Sequence, residues 1–282
     1  MFLTSYIFKS KAVRALKGNW QTALIVSFIA GLPYTLSSLL SSTRMPEVYL
    51  GMTFEELLAA LGQIDSATLW LIAIVSLASF IVTPVLSVSC NLYFIKRIQG
   101  EELGVMGVFS RRKIFWRALW LAVVTNVRIF LWGLLFIVPG ILAALRYAMA
   151  PFFLAENPEL TATQAINKSK EVMADKKMSV VVLWLSFIGW LLMASVAQIM
   201  LLTFSVILGM VAYQFIDLFR VTYMNASFAA FYLAASRTEG IAKAKKEADA
   251  FVREMKNRMP GERPDDEKDD EDTDNGDKSE EP

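Results

Sequence analysis

From Met178 to Ile216 the chain runs for 39 residues without a formal charge. As one helix this stretch would be roughly 58 Å long, nearly twice the thickness of a bilayer's hydrocarbon core. It must therefore turn. Gly209 lies where a turn would divide it into spans at about 178–200 and 215–236, and the reversal can fall anywhere between 200 and 222. Two more stretches, about 20–40 and 67–95, carry no charge, and about 118–138 carries only Arg128. Each meets the roughly 20 apolar residues that one crossing needs.

A shorter element follows Phe136-Ile137-Val138. Pro139 lacks a backbone donor, Gly140 permits a reversal, and 141–155 is apolar except for Arg146. The alternative is a single kinked helix over 118–148. The expected fold is all-α: a polytopic membrane helix bundle of about six transmembrane helices, one of them short and placed after the Pro-Gly break, with amphipathic surface helices. The first span has a long basic flank and no cleavage signature before Arg44, so it reads as a retained helix.

Cations set the orientation. They cluster before the first span (Lys9, Lys11, Arg14, Lys17), after the second (Lys96, Arg97, Arg111, Arg112, Lys113, Arg117), at Lys168, Lys170, Lys176 and Lys177, and at Arg237, Lys243, Lys245 and Lys246. The 42–66 loop holds only Arg44. Six crossings place every cluster, and both termini, on the cytoplasmic side of a cell membrane. Five would put one cluster or the tail outside.

Three segments read as surface helices. Over 2–17, Tyr6, Val13 and Leu16 alternate with cations, a pattern suited to anionic lipid headgroups or simply to orientation. Thr53 with Glu56, and Thr161 with Gln164, are capping boxes that open helices in an outer and a cytoplasmic connection. Within 1–238 these join the transmembrane domain. A cytoplasmic helix over 239–259 follows, with a narrow seam of Ile241, Ala244, Ala248, Phe251 and Met255. Then comes an acidic tail over 260–282. From Gly261 onward it holds 12 Asp/Glu against 3 Lys/Arg and no aliphatic or aromatic residue, so disorder is expected.

The chain has no histidine and one cysteine, Cys90. That excludes His-based catalytic dyads and triads, His metal sites, thiolate clusters and intrachain disulfides. No pair of acids lies mid-span, so a carboxylate proton or sodium relay is not expected either. The chain is read as non-enzymatic and without a cofactor. Its basic clusters follow from topology and call for no nucleic acid.

An ionisable side chain at membrane depth is a functional candidate by default. Arg128 sits near the middle of its span and needs a partner or a wet cavity. Asn126 is close in sequence, Asn225 on the last span could accept from it, Asp217 is a possible counter-ion, and Arg146 could snorkel. These five form a candidate intramembrane polar site, weighed against plain interhelical bonding.

Several short pieces occur in a characteristic order. They are Lys17-Gly18-Asn19-Trp20, the run from Phe136 through Pro139-Gly140 and Arg146-Tyr147 to Glu156-Asn157-Pro158, then Ala165-Ile166-Asn167-Lys168-Ser169, Ser186-Phe187-Ile188-Gly189-Trp190, and Tyr223 with Ala226, Ala229, Phe231 and Tyr232. In this order the chain resembles the domain of unknown function 975 family of bacterial integral membrane proteins over most of 10–237. It departs at Thr222, where the family has proline. The resemblance implies a multi-pass bacterial membrane protein and no activity. The expected function is therefore a non-catalytic membrane interaction or scaffold protein of the cell envelope, with protein contacts through 239–282. The alternative is a transporter or lipid-handling protein with a site near Arg128.

Overall fold

The computed structural model describes residues 2–44, 52–62, 64–105 and 114–258. Arg111, Arg112, Lys113 and the expected acidic tail over 260–282 lie outside the described residues. Among the described residues the chain is all helix, with no strand. The helices are α1 (Phe2–Leu16), α2 (Trp20–Arg44), α3 (Phe54–Gly62), α4 (Ser66–Gln99), α5 (Phe115–Leu135), α6 (Ile137–Tyr147), α7 (Ala150–Glu156), α8 (Ala162–Val172), α9 (Lys177–Leu185), α10 (Ile188–Leu202) and α11 (Val206–Arg258). Among the described residues, five stretches are long and apolar enough to cross a membrane: Trp20–Ser41, Ser66–Gln99, Phe115–Leu135, Ile137–Glu156 and Lys177–Leu201. The chain divides into two units, residues 1–237 and 238–282. In the second, the backbone is helical through Arg258.

Local chemistry explains where the helices start and stop. Both capping boxes form. Thr53 N donates to Glu56 at 2.8 Å and Glu56 N to Thr53 Oγ1 at 3.3 Å; Thr161 and Gln164 exchange the same pair of bonds. Asp65 caps α4 by accepting from Thr68 N at 2.9 Å. Gly100 ends it at φ 89°, a left-handed conformation that suits glycine.

The break in the 118–155 region comes earlier than the Pro-Gly pair. Phe136, extended at φ −160° and ψ 148°, separates α5 from α6. Pro139 falls in the first turn of α6, where a missing N–H costs no intrahelical bond. The chain reverses there. A Cβ placed on Gly140 would lie 2.9 Å from Gly133 Cα, whereas seven residues along one helix span roughly 10 Å. This is a helical hairpin, and the kinked single helix is set aside.

The last turn also differs from expectation. It falls at Thr203–Ser205, and Gly209 lies inside α11, its N–H bonded to Ser205 O at 3.1 Å. A glycine within apolar helix neighbours breaks nothing by itself; the short Thr-Phe-Ser connection supplies the reversal.

The buried core gathers toward one end of the long helices. It holds Ala23 and Val26 of α2, Val88 to Ile95 of α4, most of α7, Ile166 of α8, Leu183 of α9, and Ala226 to Ala235 of α11. Helix α1 docks on it through Phe8, Ala12 and Leu16, and Phe8 meets Phe231 edge-on at 5.3 Å. Of the three apolar residues expected on the lipid-facing side, Leu16 is packed in the core, while Tyr6 and Val13 are exposed. The spacing of four from Phe8 to Ala12 to Leu16 places those three on the packed side.

Two interruptions of the long helices are filled by side chains from surface helices. Between α6 and α7, Ser169 Oγ donates to Arg146 O at 2.7 Å and accepts from Met149 N at 3.2 Å. Between α9 and α10, Lys9 Nζ donates to Ser186 O at 2.9 Å and sits 4.3 Å from the Phe187 ring centre. Two further cations close free carbonyls: Arg97 Nε reaches Ala15 O at 3.1 Å, and Arg117 Nη1 reaches Pro158 O at 2.5 Å.

Burial holds the Lys9 ammonium below its ordinary 10.5. The unfolded chain therefore binds this proton more tightly than the folded one. Between the lowered value and 10.5, the stability owed to Lys9 rises with pH. Lys9→Met is expected to flatten that rise, measured as melting temperature against pH across the alkaline range.

Candidate functional site

The five polar residues singled out in the sequence are spread over three helices, and no hydrogen bond or ion pair among the described residues joins any two of them. Arg128 is half-buried on α5 between exposed Val127 and Phe130, and no hydrogen bond or ion pair among the described residues holds it. Asn126 is exposed and donates to Ala122 O of its own helix at 2.8 Å. Arg146 is exposed near the end of α6. Asn225 Nδ2 lies 3.9 Å from Cys90 Sγ. Asp217 accepts from Arg220 Nε at 2.7 Å, and Arg220 Nη2 meets the same oxygen at 2.7 Å.

Arg220 is the residue that sequence reasoning passed over. An acid and a base three apart share one helix face, so the signal was present.

Two clefts run beside α2. One, of about 460 Å³, lies between α2, α4, α5 and α7 and is lined by hydroxyls from Ser37, Ser76, Ser79, Thr83, Ser87 and Thr125. Ser37 and Ser76 are hydrogen-bonded at 3.1 Å, and Ser79 donates to Pro33 O at 2.8 Å. Asn126 reaches this cleft; Arg128 does not line it. The other cleft, about 770 Å³, separates α2 from α11. It is lined by Ser27, Thr35 and Ser38 on one side and by Tyr213, Gln214, Asp217 and Arg220 on the other. Ser27 Oγ is enclosed and makes no hydrogen bond to oxygen or nitrogen; the Cys90 thiol is its polar neighbour.

Both clefts offer groups that can bind a ligand. Hydroxyls, an amide and one ion pair can hold a polar group, and among the described residues no set of three acids, histidines or cysteines could take up a metal ion. The charged cleft has an apolar rim, since Phe28, Val211 and Phe215 stand exposed along it.

Residues 134–239 match the family model of a protein of unknown function, DUF975. No curated protein matches the chain, and no solved structure does.

Proposed function

We propose that this chain, which belongs to the DUF975 family, is a non-catalytic, multi-pass protein of the bacterial cytoplasmic membrane that acts as an interaction or scaffold protein of the cell envelope. It crosses six times, with both termini inside, and α11 is the sixth crossing.

One observation supports this reading most: the split between a packed, cation-bonded end and a bare apolar remainder. Away from the core the long helices show Leu32, Leu36 and Leu39, then Trp70, Ile74 and Leu77, then Phe130, Leu131 and Leu134, then Val196, Ile199 and Met200. A soluble monomer rarely exposes a contiguous apolar patch beyond a few hundred Å². Hydrocarbon covers such a surface at no cost. The cations of the packed end, Lys9, Arg97 and Arg117, then lie on the cytoplasmic face, as the distribution of Lys and Arg requires.

The threading is tested with single cysteines in a Cys90→Ala chain. A membrane-impermeant maleimide is expected to label Thr53→Cys in intact cells and a cysteine after Pro282 only after permeabilisation. Labelling of both in the same compartment would refute six crossings. The scaffold role is tested separately. Removing 239–282 is expected to leave the protein in the membrane and to strip away its co-purifying partners; an unchanged set of partners rejects that role.

A further inference from the structure

The Asp217–Arg220 pair is only half used. Arg220 Nε and Nη2 both converge on Asp217 Oδ1. Asp217 Oδ2 takes no hydrogen bond among the described residues, and Arg220 Nη1 has only the Met224 sulfur at 3.7 Å, a weak acceptor. A free charged acceptor and a free charged donor thus stand side by side in the α2–α11 cleft, and their own charges cancel. A ligand that is itself neutral overall but carries both an anion and an N–H-bearing cation matches them. A purely anionic ligand would bring its charge against the Asp217 carboxylate. A quaternary ammonium has no N–H to give Oδ2.

The position of the pair narrows the source. Tyr223, one turn along α11 from Arg220, packs edge-on to Phe187 at 5.3 Å, and Lys9 Nζ lies 6.0 Å from the Tyr223 ring. At the same level Trp20 approaches Phe219 at 6.1 Å. The cleft therefore opens just beyond the layer where α1 docks, within reach of a headgroup. Phe28, Val211 and Phe215 on its rim offer a surface for acyl chains.

We propose that the α2–α11 cleft binds a phospholipid with a phosphoethanolamine headgroup, its phosphate on Arg220 Nη1 and its ammonium on Asp217 Oδ2. The Tyr213 hydroxyl and the Gln214 amide, four and three residues before Asp217 on α11, complete the polar shell. This assignment rests on the multi-pass reading above.

The full chain, purified in detergent, is offered equal amounts of phosphatidylethanolamine, phosphatidylglycerol and phosphatidylcholine with identical chains, and retained lipid is counted by native mass spectrometry. Phosphatidylethanolamine is expected to be retained about tenfold over either of the others, the ratio that 1.4 kcal/mol gives. Asp217→Asn, at an unchanged melting temperature, is expected to lose the preference over phosphatidylglycerol, because the repelling carboxylate is gone. Gln214→Leu, which leaves the ion pair intact, is expected to lower retention of phosphatidylethanolamine. Equal retention of the three lipids, or soluble phosphoethanolamine held as tightly as the lipid, overturns the assignment. Carbonate extraction of the same membranes keeps the two readings apart. Release by carbonate sinks the multi-pass reading; equal lipid retention by a carbonate-resistant protein sinks the lipid site alone.

Discussion

Replacing Gly140 with leucine is expected to force α5 and α6 apart. The first side-chain carbon would stand 2.9 Å from Gly133 Cα and 3.1 Å from Gly133 N. Both obstacles are backbone, so no rotamer change relieves them. The helices must separate and give up the close approach that small residues allow between helices in lipid. Overpacking of this kind costs about 3 kcal/mol. The matching change on the other helix behaves differently. A Cβ on Gly133 meets nothing within 4 Å, so Gly133→Ala should be neutral or should stabilise α5 by about 0.5–1 kcal/mol through helix propensity. Unfolding midpoints of the two variants in the same detergent decide the matter. Equal losses at both glycines would mean that the hairpin is not packed as described.

Tyr232→Ala is the second change with a large expected effect. Tyr232 is fully buried, stacked on Phe152 at 5.5 Å and edge-on to Phe153 at 4.9 Å, and its hydroxyl donates to Glu156 Oε2 at 2.5 Å. Removing the ring leaves a cavity between α7 and α11, at a cost of about 3–5 kcal/mol. Tyr232→Phe keeps the ring and loses only the hydrogen bond to a carboxylate, about 1.5–3 kcal/mol. Adding Glu156→Gln to Tyr232→Phe should cost less than the two changes summed, because they share one interaction. Denaturant titration of the four chains measures this directly. A Tyr232→Ala chain as stable as the parent would mean that α11 does not pack on α7.

The long helices were legible because their signal is simple. Uncharged runs predicted the spans at 20–40 and 67–95, and the helices there are Trp20–Arg44 and Ser66–Gln99. The two capping boxes were legible for the same reason, each being a local bond between residues three apart. What eluded the sequence was tertiary. Neither Arg146-Tyr147-Ala148 nor Leu185-Ser186-Phe187 contains a proline, yet the chain breaks at both. The bonds that replace the helical ones come from Ser169 and Lys9, and Lys9 lies more than 170 positions away from its partner. Nothing local announces such a contact. The candidate polar site suffered likewise. Arg128, Asn126, Arg146, Asn225 and Asp217 were grouped by membrane depth alone, while which faces meet depends on how the helices pack. Arg220 shares a helix face with Asp217 by spacing alone, and that local relation is the one the structure keeps.

Lys9, Arg97 and Arg117 each end on a main-chain carbonyl of a distant segment. Cations that would steer the nascent chain during insertion thereby also act as rivets in the finished protein. Inverting the protein by stripping these charges would thus do two things at once, redirecting the thread and undoing its seams. Moving each of the three cations to a neighbouring exposed position would keep the charge on that face and leave the carbonyl without its partner.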